Sequence, residues 1–276
     1  MTDVVSAFPT LDLWKDLEAN PLLKHDWYAE RSDDFARFMD QFGQQAPFEV
    51  TTEKIGKSVQ GRPLTTHRLG KGNRRTLIWA RQHGDEPECN AALALALDEL
   101  RKKSDQEPYR SILENLDLLV FPVVNPDGMD SCTRPNGLGI DLNREAAHLA
   151  MPEAKALVAV KDTFQPDFSF NLHDMCPRKI RDGKDAGLIS VAYQAGPFDE
   201  SNSDNDVRLR AKTVCANMYK IIQAVAPVET ICVYKAFYMH RAFGDSMMRW
   251  GVPCVLIESG SWPEDDGGEE YVVKLH

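Results

Sequence analysis

The chain has 276 residues, 43% of them hydrophobic and 9% aromatic, and a formal net charge of −10. This suits one large α/β domain, with one or two smaller ones possible, and excludes a disordered chain. The acidic balance excludes a general nucleic-acid binder, which needs a basic footprint to displace counterions from phosphates. No apolar run approaches the length of a membrane span, so no membrane partner is expected. Met1-Thr2-Asp3-Val4-Val5 is not a basic segment leading into an apolar one, so no secretory signal is predicted. The cysteines (Cys89, Cys132, Cys176, Cys215, Cys232 and Cys254) form no CxxC pair, and several lie in apolar segments as reduced core thiols do. The expected compartment is the cytoplasm.

In chain order, residues 1–47 read as a helical N-terminal extension, with Trp14, Leu17, Leu22, Leu23, Trp27, Tyr28, Phe35 and Phe38 spread through charged sequence. Residues 48–276 read as the main domain. Phe48–Gly56 and Leu64–Gly70, separated by Val59-Gln60-Gly61-Arg62-Pro63, predict a hairpin. An apolar strand, Thr76–Ala80, leads into Gln82-His83-Gly84-Asp85-Glu86-Pro87 and a helix over 89–103. Leu116–Val124 is apolar almost throughout, as a strand covered on both faces should be, and stops at Asn125-Pro126-Asp127-Gly128. A Gly-rich loop runs to Asp141-Leu142-Asn143-Arg144, followed by a helix over 152–163, a strand over 167–174 and a further strand over 187–193. The next helix places Val207, Ala211, Val214, Met218, Ile221 and Val225 on one face, and a buried strand follows over 252–258. The alternation predicts an α/β fold: a central mixed, largely parallel sheet with helices on both faces. Tyr271–His276 reads as the start of an element, so the chain is expected to be truncated at its C-terminus.

Active sites of open α/β sheets gather beyond the carboxyl ends of the strands, and the polar residues there are His83, Glu86, Asn125, His173 and Glu258. A single such His is most often structural. Imidazole and carboxylate are also common zinc ligands, and a catalytic site takes three of them and leaves a position for water. Glu258 follows Val255-Leu256-Ile257, where a carboxylate is costly to bury without a purpose or a partner.

From about Glu53 onward the chain resembles the M14 zinc metallocarboxypeptidases, in their bacterial cytosolic or murein-peptide-amidase-like subgroup. The resemblance rests on Gly56–Pro63, His83-x-x-Glu86, Asn125–Gly128, Arg134, Gly139–Arg144, His173 and Glu258, in that order along the chain. It implies that residues 48–276 are a catalytic domain with an α/β/α sandwich, holding one Zn²⁺ on His83, Glu86 and His173. It implies Glu258 as general base, Arg134 for the oxyanion and for substrate binding, and Asn143 and Arg144 as a clamp on the substrate's terminal carboxylate. Asp141 would orient His83. Tyr238, with Tyr234 in reserve, would be the tyrosine that caps the substrate. Asp245, beside Ser246-Met247-Met248, would favour a basic terminal residue if it lies on the pocket floor, although a structural role fits an Asp there at least as well.

Two departures stand out. Glu145-Ala146 replaces the Asn and aromatic residue that many relatives carry, and the relatives' final helix is expected to be missing, leaving an apolar sheet face open. Asp85 and Glu88 read as solvated charges or helix N-terminal groups, and His25, His67, His148, His240 and His276 as non-ligands. The expected partner is a peptide or acyl-amino-acid substrate with a free carboxylate, and the expected activity removal of a C-terminal residue. Murein peptide amidase and N-acyl amino acid deacylase are the alternatives within the superfamily. A catalytically inactive binding module is the alternative outside enzymes.

Overall fold

The computed structural model describes residues 10–175, 188–226, 230–233, 237–262 and 270–276. Eight strands among these residues form one sheet: β1 (Val50–Lys57), β2 (Pro63–Leu69), β3 (Arg74–Trp79), β4 (Leu116–Phe121), β5 (Phe168–Asp174), β6 (Val191–Ala195), β7 (Ile231–Val233) and β8 (Cys254–Ser259). Their order is β1-β2-β4-β3-β5-β8-β6-β7. The core strands β4, β3, β5 and β8 run parallel, and β2 and β6 flank them antiparallel. The predicted mixed, largely parallel sheet is therefore present. So is the predicted hairpin, as the antiparallel pair β1 and β2.

The parallel strands all point the same way, so the segments that follow β3 and β4 and the last residues of β5 and β8 meet at one edge of the sheet. That edge is where His83, Asn125, His173 and Glu258 lie. His173 and Glu258 are register partners on β5 and β8. Side chains of register partners leave the sheet on the same face, so strand pairing alone sets these two beside each other.

Helix α3 (Glu88–Lys102) is apolar nearly all round, and almost every residue from Glu88 to Leu100 is buried. A helix of that kind needs cover on both sides. The sheet covers one side; the N-terminal arm contributes to the other, through α1 (Thr10–Ala19), a 3₁₀ turn (Pro21–Lys24) and α2 (Ser32–Gln45). Asn20 Nδ2 donates to Asp98 Oδ2 at 2.8 Å and to Glu99 Oε1 at 3.2 Å, and the Tyr28 hydroxyl donates to Glu88. Glu88 is therefore buried in a contact with the arm rather than solvated. Asp85 is exposed, as expected.

Helix α7 (Asp206–Ile222) turns its predicted face to the core: Ala211 is buried, and Val207, Val214 and Met218 are half-buried against the core. Arg208 is buried as well, because it turns inward onto backbone carbonyls of Asn202 and Ser203 at 2.6 and 2.9 Å. Helix α9 (Glu270–Leu275) packs on α3, β8 and the arm's 3₁₀ turn and buries Val273, where an open apolar face was expected. No helix among the described residues is long and apolar enough to cross a membrane.

Candidate active site

The turn after β3 is pinned before any metal is considered. Ala80 O accepts from Val124 N at 3.2 Å and Arg81 O from Asn125 N at 3.0 Å, so the chain leaving β3 stays locked to the chain leaving β4. Helix α5 (Pro126–Ser131) begins at that point, and the Asn125 side chain caps it by accepting from Gly128 N at 2.9 Å. Gly84 lies directly on this helix. A Cβ there would stand 1.9 Å from the Gly128 carbonyl carbon, so only glycine lets the turn approach so closely. Buried Asp127 of α5 accepts from Ser58 Oγ at 2.6 Å, Gln60 N at 2.9 Å and Arg62 at 2.8 Å, which ties the first hairpin to the same block. Beyond the turn, Asp174 Oδ2 accepts from Glu88 N at 2.7 Å, fastening the first turn of α3 to the end of β5.

Three donors converge on the space so framed. His83, Glu86 and His173 are each buried, and their candidate ligand atoms all lie within 4.8 Å of one another. The Glu86 carboxylate bridges the imidazoles: Oε1 lies 2.6 Å from His83 Nδ1 and Oε2 lies 2.7 Å from His173 Nδ1. His83 Nε2, its outer nitrogen, meets Asp141 Oδ1 at 3.1 Å. Both Nδ1 atoms therefore face the carboxylate, and Asp141 orients the His83 ring from behind. His173 Nε2 is buried without a hydrogen-bond partner among the described residues.

Burial alone would push the Glu86 carboxyl up, yet the two imidazoles hold it at about 2. Burial opposes the charge on His83, but hydrogen bonds to Asp141 and Glu86 prevail and raise it to about 9. Asp141 resists burial in the same way and is held well below the usual carboxylate range, chiefly by His83 and then Arg134.

Around this centre, Glu258 is half-buried beside His173. Arg134, on the exposed loop after α5, reaches back so that Nε meets Asp141 Oδ2 at 3.2 Å and an outer nitrogen lies 3.5 Å from Glu86 Oε1. Asn125 Nδ2 donates to the Arg134 carbonyl at 3.3 Å and so steadies that loop. Asn143 is buried in the 3₁₀ turn Leu142–Arg144, and its Oδ1 accepts from Phe243 N at 2.9 Å and Gln82 Nε2 at 3.5 Å. With the oxygen engaged, its amide nitrogen is the end left to donate. Arg144 is half-buried, with one guanidinium nitrogen 2.7 Å from the Asn143 carbonyl.

The zinc carboxypeptidase family (Peptidase_M14) matches residues 35–174, just over half of the chain. The chain belongs to this family. Among curated relatives, a probable carboxypeptidase 2 of Arthroderma benhamiae is 24% identical over 205 residues, covering 70% of this chain and 39% of the relative. The chain thus spans less than half the length of that relative. Among solved structures, carboxypeptidase A of Helicoverpa armigera superposes with a TM-score of 0.69 at 16% identity, covering 96% of this chain and 76% of that one. A Pseudomonas aeruginosa metallo-carboxypeptidase in complex with (2-guanidinoethylmercapto)succinic acid gives 0.65 at 18% identity, covering 88% and 66%.

The family's metal is zinc, and the residues present fit it: two imidazole nitrogens and a carboxylate, all buried and convergent, with Asp141 supporting one imidazole. His25, His67, His148, His240 and His276 belong to no such cluster among the described residues. Zinc needs His83 Nδ1 without a proton. Because the metal-free His83 holds its proton up to about 9, loading at pH 7–8 should release about one proton per zinc. Apparent affinity should rise about tenfold per pH unit until pH 9. Calorimetry in buffers of different ionisation enthalpy checks this, and a heat independent of buffer would contradict it.

Tyr238 is half-buried in the segment before α8 (Phe243–Arg249), whereas Tyr234 lies outside the described residues. Asp245 is buried and accepts from Met239 N at 2.6 Å, so it braces the residue next to Tyr238. Burial pushes its carboxyl up to about 6, against the Met239 amide and the Arg208 and Arg144 charges. A Cβ at Gly196 would lie 2.4 Å from Asp245 Oδ1, so a larger residue there would displace the carboxylate. Gln82 and Arg81 were not singled out from the sequence, yet they hold Asn143 and Gly84 respectively. Polar residues placed directly after an apolar strand were the available signal.

Proposed function

We propose that this protein is a zinc-dependent metallocarboxypeptidase that hydrolyses the C-terminal peptide bond of peptides. The observation that carries the reading is the convergence of His83, Glu86 and His173 at the carboxyl end of the sheet, with Glu258 in register beside His173. Bound zinc supplies Lewis-acid polarisation of the scissile carbonyl and a more acidic water. The donor end of Asn143 and the fork of Arg144 bind the substrate's terminal carboxylate, a task suited to paired N–H groups. Glu258 takes a proton from the attacking water and delivers it to the departing amine. Arg134 turns from Glu86 and Asp141 toward the oxyanion. Asp141 holds the His83 ring, and Tyr238 caps the bound substrate.

Asp245 accepts from Met239 N at 2.6 Å, which supports the structural role for it, bracing the residue beside Tyr238. The free thiols of Cys89, Cys132, Cys215, Cys232 and Cys254 support a reducing compartment, the cytoplasm.

The test is mass spectrometry of a mixed peptide library incubated with zinc-loaded protein. Stepwise loss of C-terminal residues is the expected result. Cleavage confined to γ-D-glutamyl peptides would replace the reading with murein peptide amidase, and cleavage confined to acyl amino acids with a deacylase.

A further inference from the structure

Arg81 has no role in the chemistry outlined above, yet it is 1% exposed, directly beneath the metal-binding turn. Its backbone sits at φ 52°, in the left-handed region, where a side chain bearing Cβ is strained. A buried guanidinium in a strained position needs a compensating purpose. Its Nε donates to Gly84 O at 3.1 Å, at the residue directly after His83. Its own carbonyl accepts from Asn125 N at 3.0 Å. One residue therefore fastens the turn both to itself and to the start of α5.

We propose that Arg81 is a positioning residue for the His83–Glu86 turn. The proposal rests on the reading of His83, Glu86 and His173 as that site.

The test is zinc affinity, measured by chelator competition on metal-free protein, with kcat and KM at saturating zinc. Arg81→Met should weaken zinc by about 10- to 100-fold, the usual cost of losing a group that orients a ligand, and lower kcat more than KM changes. Arg81→Lys, which keeps the charge but loses the planar fork, should fall between wild type and Arg81→Met. Arg81→Gly separates the two contributions. It relieves the backbone strain, so it should bind zinc at least as tightly as wild type if conformation alone matters, and more weakly if the side chain positions the turn. Wild-type affinity, within twofold, in folded Arg81→Met or Arg81→Gly overturns the role of Arg81. Should Arg81→Met fail to fold, Arg81→Lys and Arg81→Gly decide the matter on the same criterion. A wild-type chain that binds no zinc overturns the metal-site reading itself, an outcome distinct from equal affinity across the series.

Discussion

Glu258→Gln is expected to bind zinc with wild-type stoichiometry and to lose turnover by about 10²- to 10⁴-fold, the range attributable to a positioned general acid–base. Glutamine preserves the size of the half-buried side chain and its place in β8 opposite His173, so strand register and the three donors stay as they are. What it lacks is a site that can take the proton of water and pass it to an amine. The fall should therefore appear in kcat, with KM little changed, because Asn143 and Arg144 remain to bind the terminal carboxylate. Steady-state kinetics beside metal analysis of the same preparation makes the measurement. Full turnover in the variant removes Glu258 from the mechanism.

The second large effect is His173→Ala, which should abolish stoichiometric zinc. Two of the three donors would remain, and affinity should fall by more than about a hundredfold, beyond what loss of a supporting hydrogen bond costs. The metal-free protein should also be less stable. Glu86 Oε2 would lose its 2.7 Å partner inside a buried site, and stranding a buried acceptor costs about 1–3 kcal/mol. Zinc raises the melting temperature of a protein that binds it only when folded. The upward shift expected for wild type should thus be absent from the variant. One zinc per chain at unchanged affinity in His173→Ala would falsify the ligand assignment.

Much of the candidate site was legible in advance because strand ends announce themselves. Apolar runs such as Leu116–Val124 and Val252–Ile257 can only be covered strands, and polar residues at their carboxyl ends have no apolar reason to be there. His83, Glu86, His173 and Glu258 were found by that contrast together with the family resemblance. Arg208 was missed because helical periodicity ranks residues by polarity, and a guanidinium that reaches backbone carbonyls can turn inward against that ranking. Glu88 stands in the first turn of α3, as one of its two readings had it, but its burial was missed for a related reason. Nothing in its local sequence announces that Tyr28, sixty positions earlier, folds over it.

The sequence by itself determined the class of fold, the family, the zinc-type donor set and the edge of the sheet where it gathers. These depend on periodicity and residue chemistry, which are local. Only the tertiary structure decided that one carboxylate bridges the two imidazoles, that Gly84 lies on Gly128, and that the side-chain oxygen of Asn143 is engaged by Phe243 and Gln82. Each of these is a contact between residues far apart in the chain or a matter of side-chain direction, and both are set by how strands and helices pack rather than by any stretch of sequence read alone.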